Sequence, residues 1–151
     1  MKRLELLLSK IETAMSHHEK ISLPVSKSSV GWHVEHTLLT INAIIDDLQK
    51  SEPKNYKHTY NLRKFLIFTI KKIPRGRAKA PNVIIPQQFD NETVKIHLEK
   101  TKINVEKLNT INAESYFRHP FLGHIKLKPA IKFLGIHTTH HLKIINDIIR
   151  N

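Results

Sequence analysis

Residues 127–150 read LKPAIKFLGIHTTHHLKIINDIIR, with apolar residues at the three- and four-residue steps of a helix. Pro129 is compatible with this helix because a backbone N–H donor is not needed in the first turn. His137 and His141 are four residues apart and therefore share one helical face. The same face carries the centre of the apolar stripe, formed by Ala130, Leu134, Ile144 and Ile148. The pattern predicts an amphipathic helix that directs two imidazoles into a core, whereas His140 falls toward the polar edge.

Four earlier helices are predicted, three of them from similar periodicity. Ser28 or Ser29 is a suitable N-cap for the second, and Asp90 or Asn91 for the fourth. The third has its apolar residues scattered around the helical wheel, so its orientation cannot be read. The predicted helices cover residues 2–18, about 29–50, 57–73, about 91–112 and 127–150.

Two segments between these helices contain residues that interrupt regular structure. Prolines 74, 81 and 86 together with Gly76 predict a long connection over residues 74–89. Residues 117–124 contain histidine, proline and glycine and predict a turn before the last helix. We expect both segments to border the mouth of a site, because functional loops are positioned by a rigid scaffold.

The number and order of helices predict an all-α fold for a single domain spanning residues 1–151. Specifically, we expect a four-helix bundle of the first, second, fourth and fifth helices, with residues 57–73 as one additional helix beside it. The chain begins MKRLELLLSK, which reads as a helix and not as a signal peptide, and contains no apolar run long enough to span a membrane. We therefore expect a cytoplasmic protein without a membrane partner.

The composition limits the chemistry of any metal site. The chain contains no cysteine and eleven histidines, so a transition metal would be held by imidazole and carboxylate ligands. The net charge is +12, which raises the alternative of a basic nucleic-acid-binding module. The distribution of charge argues against it, because basic residues occur in every segment. The densest cluster lacks interleaved aromatic residues and comprises Lys71, Lys72, Arg75, Arg77 and Lys79.

A credible metal site needs a third ligand beside His137 and His141. His36 is the best candidate, since it shares an apolar strip of the second helix with Trp32 and Leu39. His33 lies about 60° away on the wheel, nearer the polar side. The chain has no H-E-x-x-H motif, which removes the usual interpretation as a zinc protease. Spacing alone leaves open the alternative that these are core histidines bonded to neighbouring helices.

Two motifs carry a resemblance to a known family. Ser29-Val-Gly-Trp-His-Val-Glu-His36 is similar to the second-helix motif of the DinB/YfiT-like superfamily of metalloenzymes, and His137-Thr-Thr-His-His141 resembles the H-x-x-H-H of its last helix. The segments at residues 76–81 and 117–123 further resemble an uncharacterised branch of that superfamily. The resemblance implies a DinB-like bundle in which His36, His137 and His141 bind a divalent metal. Characterised relatives include thiol-dependent transferases and an isomerase that use low-molecular-weight thiols. Whether this chain also uses a thiol stays open, because its sequence contains no substrate motif that would assign one.

The resulting hypothesis is a metal-dependent transferase or hydrolase acting on a small molecule. Zinc is the default metal, with Ni²⁺, Fe²⁺ or Mn²⁺ as alternatives because imidazole suits several metals. His119 is the candidate catalytic residue, expected near the metal as an acid, base or substrate donor. His124 is expected to be exposed in the turn and Glu35 to be a surface charge. The alternative is a non-catalytic helical protein with structural histidines; the oligomeric state stays open, a homodimer included.

Overall fold

The computed structural model describes residues 2–76 and 81–151, and in this part of the chain five α-helices and one two-stranded sheet are present. Short 3-10 turns follow the first helix and interrupt two connections, at Met15–His17, Pro53–Asn55 and Asn82–Ile84. The helices are α1 (Lys2–Ala14), α2 (Val30–Lys50), α3 (Leu62–Ile70), α4 (Asn91–Lys107) and α5 (Leu127–Arg150). The strands are β1 (Tyr116–His119) and β2 (Gly123–Lys126).

The starts of α2 and α4 follow the predicted caps. The Ser29 side chain accepts a hydrogen bond from the backbone N–H of Trp32, and the Asp90 side chain accepts from those of Glu92 and Thr93. The bounds of α2 and α5 are confirmed. The helices predicted at residues 57–73 and about 91–112 are shorter in the structure. The first, α3, begins only at Leu62 after the cap Asn61, and the second, α4, ends at Lys107.

Four long helices, α1, α2, α4 and α5, pack on one another around one hydrophobic core. The prediction that residues 57–73 stand beside this core is consistent with α3, which buries none of its residues fully. A mostly helical fold is therefore confirmed. Fully buried aliphatic side chains of the core include Ile11, Leu38, Ile41, Ile45, Leu98, Leu134, Ile145 and Ile148.

The hairpin of β1 and β2 was not predicted. Its strands pair antiparallel, with Phe117 opposite Ile125 and His119 opposite Gly123, and both Phe117 and Ile125 are buried in the core. Gly123 has a φ of +72°, a backbone conformation that side chains other than glycine rarely adopt. A turn was expected here, and the structure extends it into a short hairpin that leads directly into α5.

Glu35 corrects the expectation of a surface charge. Its side chain is only 1% exposed, and the Nδ1 of His97 on α4 lies 2.5 Å from its Oε1. The prediction was wrong because α2 packs against α1, α4 and α5, which leaves little of its circumference for solvent.

None of the described helices is long and apolar enough to cross a membrane. Arg77 and Lys79 of the basic cluster lie outside the described residues, as does most of the motif at residues 76–81.

Candidate metal centre

His36, His137 and His141 converge where α2 faces α5. Each offers one ring nitrogen, and these three nitrogens lie within 4.8 Å of one another. The ring centroids are separated by 5.3 Å for His36 and His137, 4.7 Å for His36 and His141, and 4.6 Å for His137 and His141. The three predicted ligands are therefore close enough to hold a metal ion.

The ring of His36 is fixed from two sides. Its Nδ1–H donates to the backbone carbonyl of Ile84 across 2.7 Å, and the Trp32 ring stacks on it at 5.1 Å with an interplanar angle of 10°. Because Nδ1 carries the hydrogen, the lone pair of the neutral ring is on Nε2. Hydrogen bonds of this kind to the second nitrogen are typical of metal-bound histidines. The carbonyl comes from the 3-10 turn at Asn82–Ile84, so the connection between α3 and α4 orients a candidate ligand.

His141 and His137 differ in their surroundings. The Nδ1 of His141 is hydrogen-bonded to the Nδ1 of His33, which leaves Nε2 available as a ligand. The Nδ1 of His137 is shielded from solvent and has no hydrogen-bond partner among the described residues. Since buried polar atoms are nearly always paired, this ring lacks one of the hydrogen bonds that a closed protein core would supply.

Burial keeps the three rings neutral. The pKa of His36 is lowered by desolvation, and the pKa values of His137 and His141 are lowered well below the usual 6.5 by desolvation and then by the neighbouring histidines. Metal ions bind the neutral form of imidazole, so the cluster is ready to coordinate at neutral pH. No carboxylate belongs to this group, so the three ligands themselves would not offset the charge of a bound divalent ion.

A cavity of about 1090 Å³ lies over the histidine cluster. All three candidate ligands line it. Part of each expected segment lines it too: residues 74, 76, 81, 83 and 84 of the long connection, and residues 119–122 of the turn, whereas His124 is not among the lining residues. Most of the remaining wall is apolar, with Arg63 and Arg118 among the charged residues. Several lining residues, Leu66, Val83 and Phe121 among them, are exposed, so the cavity opens to solvent.

His119 lies in this cavity but is not one of the three converging residues. Its ring packs edge-on against Phe133 at 5.1 Å, and Phe133 in turn lies 6.0 Å from His137. The Nδ1 of His119 accepts a hydrogen bond from the backbone N–H of Phe121, so the neutral ring carries its hydrogen on Nε2. Burial lowers the pKa of His119 to about 4. At neutral pH this side chain is therefore a hydrogen-bond donor.

The structure also defines the surroundings of three histidines that are not candidate ligands. His33 is buried against His141, although the wheel placed it toward the polar side. His124 is partly buried, stacks on Tyr116 at 4.5 Å and accepts from the backbone N–H of Lys57, so the expectation of an exposed turn histidine was wrong. His140 lines the cavity outside the metal-holding group, as its position on the wheel indicated.

Comparison of the chain with known protein families, curated proteins and solved structures gives no match.

Proposed function

We propose that the protein is a metal-dependent enzyme that uses His36, His137 and His141 to hold a divalent ion, zinc by default, and transforms a small molecule in the adjoining cavity. The observation that carries this proposal is the approach of three imidazole nitrogens from two helices to within 4.8 Å of one another in the wall of a cavity. The motifs of α2 and α5 support placing the chain in the DinB/YfiT-like superfamily, with a transferase or hydrolase as the class of enzyme.

The number of ligands favours catalysis over a structural role for the metal. Structural zinc sites are usually closed by four protein ligands, whereas catalytic sites keep a position for water or substrate. When bound, such a metal acidifies a coordinated water or thiol or polarises a carbonyl. The protein places an open cavity beside the three rings, and a small substrate can approach through it.

The alternative of purely structural histidines is less compatible with the hydrogen bonding. Core histidines are expected to pair both ring nitrogens with protein groups or water. His36 and His141 use only Nδ1 in hydrogen bonds to the described protein, and the buried Nδ1 of His137 has no partner there. A metal ion that accepts the Nε2 lone pairs of His36 and His141 supplies the second partner of these two rings.

The walls of the cavity favour a substrate with an apolar body. Aromatic and aliphatic side chains dominate the lining, as in most small-molecule sites. Arg63 and Arg118 could contact an anionic group on such a substrate. A low-molecular-weight thiol is the cosubstrate that the family resemblance implies, and it is retained in the proposal on that ground.

The proposal is tested first by metal content. Protein purified without an affinity tag or added metal is expected to contain close to one equivalent of a divalent metal by elemental analysis. Metal-free protein is expected to take up one equivalent of Zn²⁺ in a titration. Failure to bind Zn²⁺, Ni²⁺, Fe²⁺ or Mn²⁺ at neutral pH would refute the metal site. A screen for thiol transfer and for hydrolysis then identifies the reaction.

His119 is expected to donate a hydrogen bond from Nε2 to the substrate. The substitution His119→Asn tests this role, because the amide oxygen can still accept from the Phe121 N–H while the Nε2 donor is lost. We expect turnover on the substrate found in the screen to fall by roughly 100-fold, as is usual for the loss of one hydrogen-bond donor that stabilises a transition state. The Zn²⁺ affinity should not change. Equal turnover of the wild type and the variant would show that His119 takes no part.

A further inference from the structure

His33 and His141 form an uncommon contact between two buried imidazoles. His33 lies on α2 one turn before His36, and its Nδ1 is 3.1 Å from the Nδ1 of His141 on α5. The residues are 5% and 7% exposed, so water does not readily replace either partner. The hydrogen bond therefore joins a candidate ligand to a residue that the metal-holding group does not include.

A second hydrogen bond continues this contact to Ser26. The Nε2 of His33 is 2.9 Å from the Oγ of Ser26 in the connection between α1 and α2. Ser26 is itself held in place, because its Oγ accepts from the backbone N–H of Ser28 and its own N–H donates to the Ser22 carbonyl. The three side chains form a continuous row, Ser26 to His33 to His141, that ends at the metal centre.

The direction of donation along this row follows from the ligand atom. Only one hydrogen can lie between the two Nδ1 atoms, since both rings are neutral. If the Nε2 of His141 binds the metal, its Nδ1 must carry the hydrogen and donate to His33. His33 then carries its own hydrogen on Nε2 and donates to Ser26 Oγ, whose other lone pair accepts from Ser28. Each atom of the row has one consistent role.

We propose that His33, oriented by Ser26, is a positioning residue that holds His141 in the ring orientation and tautomer needed for metal binding. This inference rests on the proposed metal site. Partners of this kind fix the direction of the ligand lone pair and increase its basicity. The corresponding partner of His36 is the backbone carbonyl of Ile84, which a side-chain substitution does not remove. We call such a hydrogen-bond partner of a ligand an outer partner. His33 is therefore the outer partner that mutagenesis can test.

The experiment compares three variants by competition of the metal-free protein with a chromophoric chelator for Zn²⁺. His33→Leu removes the acceptor, whereas His33→Asn places an amide oxygen where Nδ1 was. Glu35→Gln is the control, a change at another buried polar residue of α2 that pairs with His97 instead of the histidine cluster. We expect His33→Leu to weaken Zn²⁺ binding about 10- to 100-fold, as is typical for outer partners. His33→Asn should recover most of the affinity, and the control should bind as the wild type does.

A second measurement covers the case in which His33→Leu fails to fold. Nitrogen-15 chemical shifts of the imidazoles in zinc-loaded wild-type protein should show a hydrogen on Nδ1 of His141 and on Nε2 of His33. The reverse assignment would overturn the inference, as would equal Zn²⁺ affinity of folded His33→Leu and wild type, or equal losses in the Leu and Asn variants. Absence of Zn²⁺ binding by the wild type would instead refute the metal site itself, and the inference with it.

Discussion

Replacement of His137 or His141 by Ala is expected to weaken Zn²⁺ binding far more than replacement of His140. Both residues offer a nitrogen to the group that could hold the ion, whereas His140 is outside that group although it is next to His141 in the chain. Loss of an outer partner typically costs about 10- to 100-fold in affinity, and loss of a ligand should exceed that. His140→Ala should leave the affinity nearly unchanged, because His140 offers no nitrogen to that group. Titration of each metal-free variant with Zn²⁺ measures the difference.

His36→Ala provides the complementary variant on the opposite helix. It should weaken Zn²⁺ binding as much as the two changes on α5 do, because the three nitrogens form one group. Thermal unfolding of the metal-free variants serves as the control for folding, since the core of aliphatic side chains does not depend on these rings. Equal losses at His137, His140 and His141 would mean that the ion binds elsewhere on α5.

The sequence was sufficient to predict the two helices that carry the ligands. Helical periodicity and a serine cap defined α2, and the apolar stripe of α5 placed His137 and His141 on its buried side. The periodicity of either helix does not indicate that His36 lies close to these two residues. The family resemblance predicted that proximity. The helical wheel predicted the wrong exposure for Glu35 and His33, because it assumes that one side of a helix faces water. A central helix with neighbours on several sides does not satisfy that assumption.

Two other features were outside the reach of residue patterns. The partner of His36 is a backbone carbonyl at Ile84, and every residue has such a carbonyl, so no residue type indicates it. Each strand of the hairpin has four residues, too few for alternation of apolar and polar side chains to stand out. Its buried residues Phe117 and Ile125 could equally belong to a loop that packs on the core.

Acidification is expected to destabilise the metal-free protein strongly between about pH 6.5 and pH 4. The pKa of His119 is lowered from 6.5 to about 4 in the folded protein, and those of His36, His137 and His141 are lowered as well, mainly by burial. In this window the unfolded chain binds more protons than the folded one, so the free energy of unfolding falls as the pH falls. Every tenfold loss of proton affinity on folding corresponds to about 1.4 kcal/mol, and all four histidines change the free energy of unfolding in the same direction.

Urea unfolding of metal-free protein at a series of pH values from 7.5 to about 4 measures this loss of stability. An asparagine variant of His119, with a matched control, then measures how much of the loss is due to that residue. Protonation of His119 would place a hydrogen on Nδ1 against the N–H of Phe121, whereas the oxygen in His119→Asn accepts that N–H at every pH. The variant should therefore lose less stability than the wild type on acidification. The difference is up to about 3 kcal/mol, and solvation of the partly exposed His119 ring reduces it. His58→Asn is the matched control at an exposed histidine and should follow the wild type. A wild-type stability that stays constant or rises as the pH falls from 6.5 would contradict the burial of neutral imidazoles, because their protonation in the unfolded chain must favour unfolding.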